Sequence, residues 1–406
     1  MRKSLAAGFA LATMLFTASA AEAEFSEKVV RIGVLSDFNG VYSGWAGKGS
    51  LVATQIAVED FKAQHPDAPF QIDVIHADFQ NKADIAAGIA REWIDVKGVD
   101  AIVDVPNSAA ALAVTSILRN SRAAFLMTGP IVDALTRKEC SPNAVQWTYD
   151  SYSVANSTAH AGLDQGGKSW FFISADFSGP ISIERIAREA VTAGGGQVLG
   201  AARPPLSTPD FSSFLLQAQF SGAQVIGFAL GGSDFITAIK QAAEFGLARS
   251  GRKLAPLIAY MPDIKSLGLE TAQGLLFTQA FYWDVDDATR AFSKRLAERN
   301  DGRYPSDVQA GAYSATLHYL KAVLASKTDD GREVVKAMKK MPVGDHVMGP
   351  GTIRPDGRYL HTMFLTEVKS PSESKGPWDL LKIVKKVPGG EAFAPPSAEC
   401  ALNTVR

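Results

Sequence analysis

A glycine-rich segment near the N-terminus is the first place where the sequence could support chemistry. Gly47-Lys48-Gly49 stands between a predicted strand and a predicted helix, which is the setting of loops that bind the phosphates of dinucleotides. A third glycine belongs to such a fingerprint, but Val52 occupies that position. Roughly ten residues also separate the strand from Gly47, where the fingerprint needs a tight turn. The segment therefore does not predict a dinucleotide site.

Serine, histidine and acidic residues show no pattern that is typical of catalysis. Ser43 and Ser233 lack the G-x-S-x-G context of an activated nucleophile. No H-E-x-x-H motif or close pair occurs among the six histidines, at positions 65, 76, 160, 318, 346 and 361. No two carboxylates are paired by spacing as general acid and base. The sequence thus predicts a protein that is not an enzyme, with no catalytic residue, no metal site and no cofactor.

The first 23 residues differ in composition from the rest of the chain. Arg2 and Lys3 precede an apolar run at residues 5–15, and small residues then lead to Ala21-Glu22-Ala23. This pattern is typical of a cleavable secretory signal. A membrane anchor is the alternative, but the apolar run is too short to cross a bilayer. We therefore expect residues 1–23 to direct export.

The length and charge of the chain limit its architecture and its partners. At 406 residues it exceeds one comfortable hydrophobic core, so two domains are expected. Removal of residues 1–23 leaves 39 basic and 41 acidic residues. A nearly neutral protein has no electrostatic preference for nucleic acid or for an anionic membrane, and neither is predicted as a partner.

Strands that alternate with helices predict parallel sheets. The first series has strands 29–35, 70–76, 101–105 and 123–127 with helices 51–61, 83–96 and 109–120, and Ser50 is the expected cap of the first helix. The second series has helices 152–165, 181–193, 211–220 and 235–245 with strands 169–174, 197–200, 224–229, 257–260 and 274–278. Helices 287–299, 305–324 and 331–341 follow without strands, and strands 351–354, 361–368 and 380–385 come last. The predicted fold class is α/β.

The chain resembles the type I periplasmic binding proteins of the Leu/Ile/Val-binding family, the solute-capturing subunits of ABC importers. The resemblance lies in VVRIGVLSDFNGVYSGWAGKGSLVATQIAVEDF (29–61), VPNSAAALAV (105–114), CSPNAVQWTYDSY (140–152), WFFISADF (170–177), DFSSFLLQAQFSGAQVIGFA (210–229), IKQAAEFG (239–246), LGLETAQGL (267–275), QAGAYSATLHYLKAV (309–323) and IRPDGRYLHTMFLTEVKSPSESKGPWD (353–379). These segments span nearly the whole chain after the leader.

This resemblance implies two doubly wound parallel-sheet lobes joined by a three-crossing hinge. The first lobe is residues 24–147 with 284–344, the second lobe is residues 148–283 with 345–387, and residues 388–406 form a C-terminal tail. Residues 284–344 go to the first lobe because helices without strands cannot complete a sheet of their own. Closure of the hinge over a ligand is the expected motion. The resemblance also implies a periplasmic location and an ABC permease as partner, and we expect a monomer.

Ligands of open α/β folds bind at the loops that follow the carboxyl ends of the strands. The residues predicted to bind the ligand are Tyr42, Trp45, Asn107, Ser108, Thr128 and Gly129 from the first lobe and Tyr149, Asp176, Phe177, Ser233, Asp234 and Asp263 from the second. In amino-acid-binding members of the family, an acidic residue pairs with the α-ammonium of the ligand. By resemblance, Asp263 occupies that position.

Several of these residues have a structural alternative. The hydroxyl of Ser108 and the N–H groups after it could hold a carboxylate, or Ser108 could be an ordinary helix N-cap. Trp45 could stack on a ligand or be buried under the other lobe. Asp234 and Asp263 precede helical stretches, so capping is the alternative for both.

The sequence departs from the amino-acid-binding pattern at two places. Val132 stands where those members have a threonine, and Pro130 lacks a backbone donor. Binding an α-ammonium in a dry cleft without a hydroxyl partner costs free energy, because one of its N–H groups stays unpaired. Residues 175–180, ADFSGP, also replace an aromatic-rich run of the family. We therefore expect a small polar organic solute, a carboxylate that is aromatic or amino-acid-like.

Cys140 and Cys400 are the two cysteines of the chain. A pair in an oxidising compartment predicts a disulfide, which would tie the tail to the end of the first series of strands. Closing so long a loop would stabilise the fold by about 4–5 kcal/mol. Two unrelated buried thiols are the alternative.

The sequence as a whole predicts a solute-binding subunit that delivers its ligand to a permease. A periplasmic sensor, which presents its ligand to a membrane receptor, is a second hypothesis because the same fold serves both. An exported enzyme is a third, and turnover of the bound compound would distinguish it.

Overall fold

The computed structural model describes residues 25–403, so the predicted export signal at residues 1–23 lies outside the described part of the chain. Five parallel strands form the sheet of the first lobe, in the order β2-β1-β3-β4-β5. They are β1 (Val29–Ser36), β2 (Gln71–Asp78), β3 (Ala101–Asp104), β4 (Ala124–Met127) and β5 (Ala144–Gln146), and the helices between them are α1 (Gly47–Gln64), α2 (Ala83–Asp95) and α3 (Ser108–Leu118). Every position of β3 and β4 is buried, as expected for strands covered by helices on both faces.

Four parallel strands form the sheet of the second lobe, in the order β7-β6-β8-β9. They are β6 (Ser169–Ser174), β7 (Gln197–Ala202), β8 (Val225–Ala229) and β9 (Lys253–Pro256). The helices of this part are α4 (Ser151–Asp164), α5 (Ser178–Ala193), α6 (Ser212–Phe220), α7 (Gly232–Glu244), α8 (Met261–Leu267) and α9 (Leu269–Ala272). Two doubly wound parallel sheets confirm the predicted fold class.

The last third of the chain returns to both sheets. Its elements are β10 (Leu276–Gln279), α10 (Asp287–Arg299), α11 (Asp307–Ser326), α12 (Gly331–Lys340), β11 (Val343–Asp345), β12 (Gly349–Ile353), β13 (Tyr359–Leu360), β14 (Met363–Val368), β15 (Leu381–Val387) and α13 (Gly389–Ala392). Helices α10 and α11 pack against α1, and α12 packs near β4. Strand β10 pairs with β14, which pairs with β15, in an antiparallel sheet beside β9.

A small antiparallel sheet of β11, β12 and β13 lies against the first lobe. Strand β11 contacts α11, and β12 contacts α12. Gln146 at the end of β5 forms an isolated parallel β-bridge with Arg358. Residues 345–361, which the sequence places in the second lobe, therefore contact elements of the first.

The first helix begins earlier than the sequence predicts. It starts at Gly47, so Ser50 lies inside the helix as a buried residue and the prediction that it caps the helix is wrong. The Gly47 N–H donates to Ser36 Oγ at 2.8 Å, and Gln309 Nε2 of α11 donates to Ala46 O at 3.2 Å. These tertiary hydrogen bonds fix the start of the helix, because no side chain caps it.

One predicted strand is misplaced and another begins later than predicted. The ladder with β8 uses Lys253–Pro256 and not residues 257–260; Leu257 makes one further bond, from its N–H to Phe228 O at 2.9 Å, and the chain then leaves the sheet. Pro256 is tolerated because β9 is an edge strand. The predicted strand 361–368 corresponds to β14, which begins at Met363 because His361 turns inward between β13 and β14, with its Nε2 at 2.6 Å from Thr148 O.

The predicted disulfide between Cys140 and Cys400 is confirmed. The two Cα atoms lie 5.8 Å apart, and 260 positions separate the cysteines in the sequence. Glu399 beside it pairs with Arg137 at 2.9 Å. The C-terminal tail is therefore fixed to the segment that precedes β5. Within residues 25–403, no helix is long and apolar enough to span a membrane.

Candidate functional site: a cavity between the two lobes

A cavity lies between the loops that follow the strands of the two large sheets. It contains about 360 Å³ of space outside the protein atoms, a volume that includes space open to solvent. Both lobes contribute to its wall, which is formed by Tyr42, Trp45, Pro106, Ser108, Gly129, Ile131, Phe177, Pro180, Ile183, Leu230, Gly231, Ile258 and Tyr260. This is the edge at which open α/β sheets bind ligands.

The loop between β1 and α1 supplies two aromatic side chains, Tyr42 and Trp45. The Asp37 carboxylate accepts hydrogen bonds from the backbone N–H groups of Gly40 and Tyr42 at 2.6 and 3.1 Å, so the loop folds around a buried acceptor. The Trp45 ring lies 4.7 Å from the Tyr42 ring and is stacked at 4.4 Å on Tyr260. The loop thus presents a fixed aromatic wall that the second lobe covers.

The same loop touches the N-terminus of α7 in the second lobe. The Ser233 N–H donates to Val41 O at 3.3 Å, and a Cβ added to Gly232 would lie 2.1 Å from that carbonyl oxygen. Beside this contact, the buried Trp45 Nε1–H has no hydrogen-bond partner within residues 25–403. A buried donor without a partner costs free energy, which a bound acceptor would recover.

The N-terminus of α3 separates the roles of Asn107 and Ser108. Asn107 is the N-cap, since its Oδ1 accepts from the N–H groups of Ala109 and Ala110 at 2.9 and 3.1 Å. The alternative that Ser108 is the N-cap is therefore wrong. Ser108 Oγ accepts from the N–H groups of Ile131 and Val132 at 3.2 and 3.3 Å and borders the cavity, whereas Asn107 does not.

Gly129 borders the cavity because the backbone there passes very close to its neighbour. A Cβ on Gly129 would lie 2.5 Å from Pro106 Cα. The preceding Thr128 does not reach the cavity, because its hydroxyl donates to Asp104 Oδ1 at 3.1 Å. Asp104 and Val105 have φ values of +83° and +57°, a region that costs about 1–3 kcal/mol for each residue other than glycine. The strained backbone leads directly into Pro106 and the cavity wall.

Helix α5 brings the second lobe to the cavity. Phe177 precedes the helix and borders the cavity, while Asp176 is exposed and does not. No side chain caps α5, so its first N–H groups lack a side-chain acceptor. A Cβ on Gly179 would lie 2.8 Å from Ser108 Oγ. The N-terminus of α5 therefore faces Ser108 across the gap between the lobes.

Two tyrosine hydroxyls meet beside Gly129. Tyr149 lies at the first crossing between the lobes, and its hydroxyl donates to Gly129 O at 3.3 Å. Tyr260, at the N-terminus of α8, is hydrogen-bonded to the Tyr149 hydroxyl. Both side chains are buried, and Tyr260 borders the cavity. Tyr149, which the sequence predicts to bind the ligand, is therefore not a wall residue and lies behind Tyr260.

Ser233, Asp234 and Asp263 lie outside the cavity. Ser233 and Asp263 border a separate outer compartment of about 1100 Å³, beyond Trp45. The Asp263 carboxylate accepts from Tyr260 N at 3.2 Å, as part of the N-terminal cap of α8. Asp234 Oδ2 accepts from Ser207 N at 2.9 Å. The capping alternative thus holds for Asp263, whereas Asp234 caps no helix and instead accepts from a loop N–H.

Buried carboxylates surround the cavity without entering it. Burial raises the pKa of Asp104 and of Asp234 to about 6, and the pKa of Asp263 to about 7. None of the thirteen wall residues, all within the described range 25–403, is an aspartate, glutamate, lysine, arginine or histidine. The cavity is therefore uncharged, and its polar groups are hydroxyl, indole and backbone groups.

The structure brings five of the twelve predicted binding residues to the cavity wall: Tyr42, Trp45, Ser108, Gly129 and Phe177. The sequence analysis missed eight wall residues, which are Pro106, Ile131, Pro180, Ile183, Leu230, Gly231, Ile258 and Tyr260. A signal existed for Pro106 and Leu230, because they follow predicted strands. The apolar side chains carry no signal that separates them from core residues.

Polar contacts tie the lobes together at the side of α5. Asp133, in a 3₁₀ turn after β4, accepts from Ser182 Oγ at 2.8 Å and pairs with Arg185 at 2.6 Å. Ser182 and Arg185 belong to α5, so these bonds cross from the first lobe to the second. The Asp133 side chain is 18% exposed, which leaves the pair less screened than a surface ion pair.

Buried side chains near β13 contact the backbone that leaves β5. Arg358 is fully buried and donates to Tyr149 O at 2.7 Å. His361 lies against Thr148 O, and burial lowers the pKa of its imidazole to about 4. Both side chains come from the segment around β13 and lie within hydrogen-bond distance of the backbone that leaves β5. The two segments are therefore packed together.

Most of the chain is similar to one known protein family. The family described as "Periplasmic binding protein" matches residues 29–377. A curated relative, Leu/Ile/Val-binding protein homolog 6 of Brucella melitensis, is 27% identical over 373 residues, which cover 88% of this chain and 91% of the relative.

Two crystal structures are similar over nearly their whole length. A periplasmic binding protein from Burkholderia mallei is 42% identical, with a TM-score of 0.88 over 92% of this chain and 99% of that chain. A branched chain amino acid ABC transporter periplasmic ligand-binding protein from Burkholderia xenovorans is 39% identical, with a TM-score of 0.80 over 91% and 99% of the two chains.

Proposed function

The chain belongs to the periplasmic binding protein family, and on that premise we propose that it captures a small organic solute between its lobes and delivers it to the permease of an ABC importer. One observation carries this proposal: an uncharged, aromatic-lined cavity whose wall comes from both lobes. The Burkholderia xenovorans protein, described as part of an ABC transporter, supports the permease as partner.

The proposed lobes are residues 24–147 with 284–344 and residues 148–283 with 345–387, followed by the tail at 388–406. Two observations support them: α10 and α11 pack on α1, and β10 pairs with β14. The contacts of β12 and β13 with the first lobe favour a third crossing nearer to residue 361 than to residue 344. Export through residues 1–23 completes the proposal.

Capture would work by population shift. Ser108 and Gly129 belong to the first lobe and Phe177 and Tyr260 to the second, so a ligand in the cavity touches both only while the lobes are together. Such a ligand stabilises the closed form by its difference in affinity for the two forms. The permease would then distinguish the loaded protein by its closed lobes.

The proposed ligand is a small carboxylate, with an aromatic or apolar body. The wall is mostly aromatic and aliphatic, which suits an apolar body. Ser108 borders the cavity, and the uncapped N-terminus of α5 lies next to Ser108, so both would supply donors for an anion. An α-amino acid fits less well, because Asp263 is engaged in the cap of α8 and lies outside the cavity.

A thermal-shift screen of residues 24–406, unfolded and refolded to remove any copurified ligand, tests this function. The panel contains amino acids, aromatic and aliphatic carboxylates, amides and polyamines. A ligand at a hundredfold excess over its Kd adds about 2.7 kcal/mol of stability, which is a shift of several degrees. Recovery of the bound compound unchanged would separate binding from turnover.

Two variants locate the binding site in that screen. Ser108→Ala should lose most of the ligand-induced shift, whereas Ser326→Ala should retain it. Ser326 is the matched control because its hydroxyl also bonds to backbone, at 2.7 Å from Ala322 O, but lies at the end of α11. Turnover of the compound, or no shift with any class, would contradict the proposed function.

A further inference from the structure

Residues 388–400, the segment that follows the last strand, start on the second lobe. Strand β15 pairs with β14 in the antiparallel sheet beside β9, so the segment leaves from an element of that lobe. Helix α13 (Gly389–Ala392) then packs against α4, which also belongs to the second lobe. The segment is therefore attached to the second lobe as far as Ala392.

The same segment ends on the first lobe. Cys400 is fully buried and bonded to Cys140, which lies between the 3₁₀ turn Asp133–Thr136 and β5. Glu399 adds an ion pair with Arg137 at 2.9 Å. Strand β5 is the edge strand of the first sheet. The chain that leaves the second lobe is thus joined to the first lobe by a covalent bond.

The middle of the segment packs on the chain around β13. The buried Phe393 ring lies 5.4 Å from the His361 ring and 4.7 Å from the centre of the Arg358 guanidinium. Arg354 donates a hydrogen bond to Ala394 O. Because His361 and Arg358 also contact the backbone that leaves β5, the segment runs directly beside chain that passes between the lobes.

Beyond Ala394, the segment borders the gap between the lobes. Pro395 and Ser397 line a groove together with Arg137 of the first lobe and Glu189 of α5 in the second. The ion pair that joins α5 to the first lobe lines the same groove. Opening of the lobes would therefore widen the groove along which the segment lies.

The segment has little length in reserve. Residues 394–397 contain no helix or turn that could unwind. Pro395 and Pro396 are adjacent within it, and such a segment is stiff because the ring of proline fixes φ. A stiff segment with both ends attached resists the widening of the gap beside it.

From this path we infer that residues 388–400 act as a strap, a covalent link that limits how far the cleft between the lobes opens. The disulfide makes the link durable, since the exposed ion pair of Glu399 with Arg137 contributes little by itself. A limited opening keeps ligand-free molecules nearer to the closed form. For a protein that captures its ligand by closure, less of the binding affinity is then lost to the closing step.

Lengthening the strap while keeping the disulfide tests the inference. Six glycine and serine residues inserted between Pro396 and Ser397 add about 20 Å of reach. The stabilisation by the disulfide hardly changes, because it grows only with the logarithm of a loop that already has 260 positions. The matched control carries the same insertion after Gly195, in an exposed turn between α5 and β7 where no atom lies within 4 Å of an added Cβ.

Small-angle scattering of the refolded, ligand-free proteins measures the opening. The radius of gyration of the lengthened strap should exceed that of the control insertion by about 1 Å, on a value of about 21 Å for a compact chain of this length. The double variant Cys140→Ser with Cys400→Ser should expand by a similar amount relative to wild type. Urea unfolding separates the two effects, because the lengthened strap should keep the stability of the control insertion.

Two outcomes would overturn the inference. One is an equal radius of gyration for the lengthened strap and the control insertion. The other is an expansion that appears only in the double cysteine variant, since the disulfide would then stabilise the fold without limiting the opening. If the double variant does not fold, the two insertions alone decide. Neither outcome bears on the proposed function, which the ligand screen tests separately.

Discussion

Replacement of Gly232 by alanine should open the lobes without unfolding the protein. Gly232 lies at the start of α7 in the second lobe, and its φ is +60°. A Cβ there would be 2.1 Å from Val41 O of the first lobe. Carbon and oxygen do not approach within about 3 Å, so the two segments would have to separate by about 1 Å. The closed arrangement of the lobes would therefore be destabilised relative to the open arrangement.

Two costs must be separated in this variant. The left-handed backbone costs about 1–2 kcal/mol for alanine in any setting, which lowers the melting temperature by a few degrees. The overlap with Val41 acts only when the lobes meet. Since the apparent Kd equals the intrinsic Kd divided by the closed fraction, we expect the ligand to bind at least tenfold more weakly.

Gly222→Ala is the matched control for this experiment. Gly222 has φ +74°, and no atom lies within 4 Å of the position that its Cβ would take, so the control has the backbone cost alone. Calorimetry with the ligand found in the screen measures affinity, and small-angle scattering with saturating ligand measures closure. Equal affinities of Gly232→Ala and Gly222→Ala would refute the reasoning.

Three further predictions concern contacts away from the cavity. Asp133→Asn should weaken ligand binding about two- to fivefold, because its partly exposed ion pair with Arg185 contributes about 0.5–1 kcal/mol to closure. Calorimetry at two salt concentrations checks this. An equal effect of Glu333→Gln, which removes an exposed ion pair on α12, would contradict it. Replacement of Cys140 and Cys400 by serine should lower the free energy of unfolding by about 5 kcal/mol, since the disulfide closes a loop of 260 positions. Urea unfolding measures this loss of stability. An unchanged midpoint of unfolding would contradict the prediction. Burial raises the pKa of Asp263 to about 7, so the folded protein binds more protons than the unfolded chain between about pH 4 and 7, and its stability should fall as the pH rises through that range. The fall should be smaller in Asp263→Asn than in wild type by urea unfolding at pH 5 and pH 8, and equal slopes would contradict the assignment.

The parts of the site that could be predicted are those set by the direction of parallel strands. Ser108 and Gly129 follow β3 and β4, and Phe177 follows β6. Because parallel strands end at one edge of their sheet, a strand pattern alone places such residues near each other. The same argument placed Trp45 there, and its residue type suggested an aromatic wall.

The residues that could not be predicted depend on tertiary contacts. Residues 257–260 are apolar and suggest a strand, yet β9 ends at Pro256, so the chain is free to direct Tyr260 into the cavity. The prediction passed over Tyr260 in favour of Asp263, three residues later. Asp263 is instead part of the cap of α8. The sequence shows that an aspartate lies near a strand end, but it does not show which N–H groups donate hydrogen bonds to its carboxylate.

The same physical cause explains both the neutral cavity and the acidic residues around it. Asp37, Asp104 and Asp263 each accept hydrogen bonds that hold the loops of the wall in place. Their oxygens are therefore occupied, and burial raises the pKa of each carboxyl. A carboxylate that shapes a loop is a poor partner for a ligand cation, because a charge at the ligand would pull it from the N–H groups that it satisfies. The acids near the cavity are engaged by the surrounding loops, and for that reason recognition falls to the hydroxyl and indole groups of the wall.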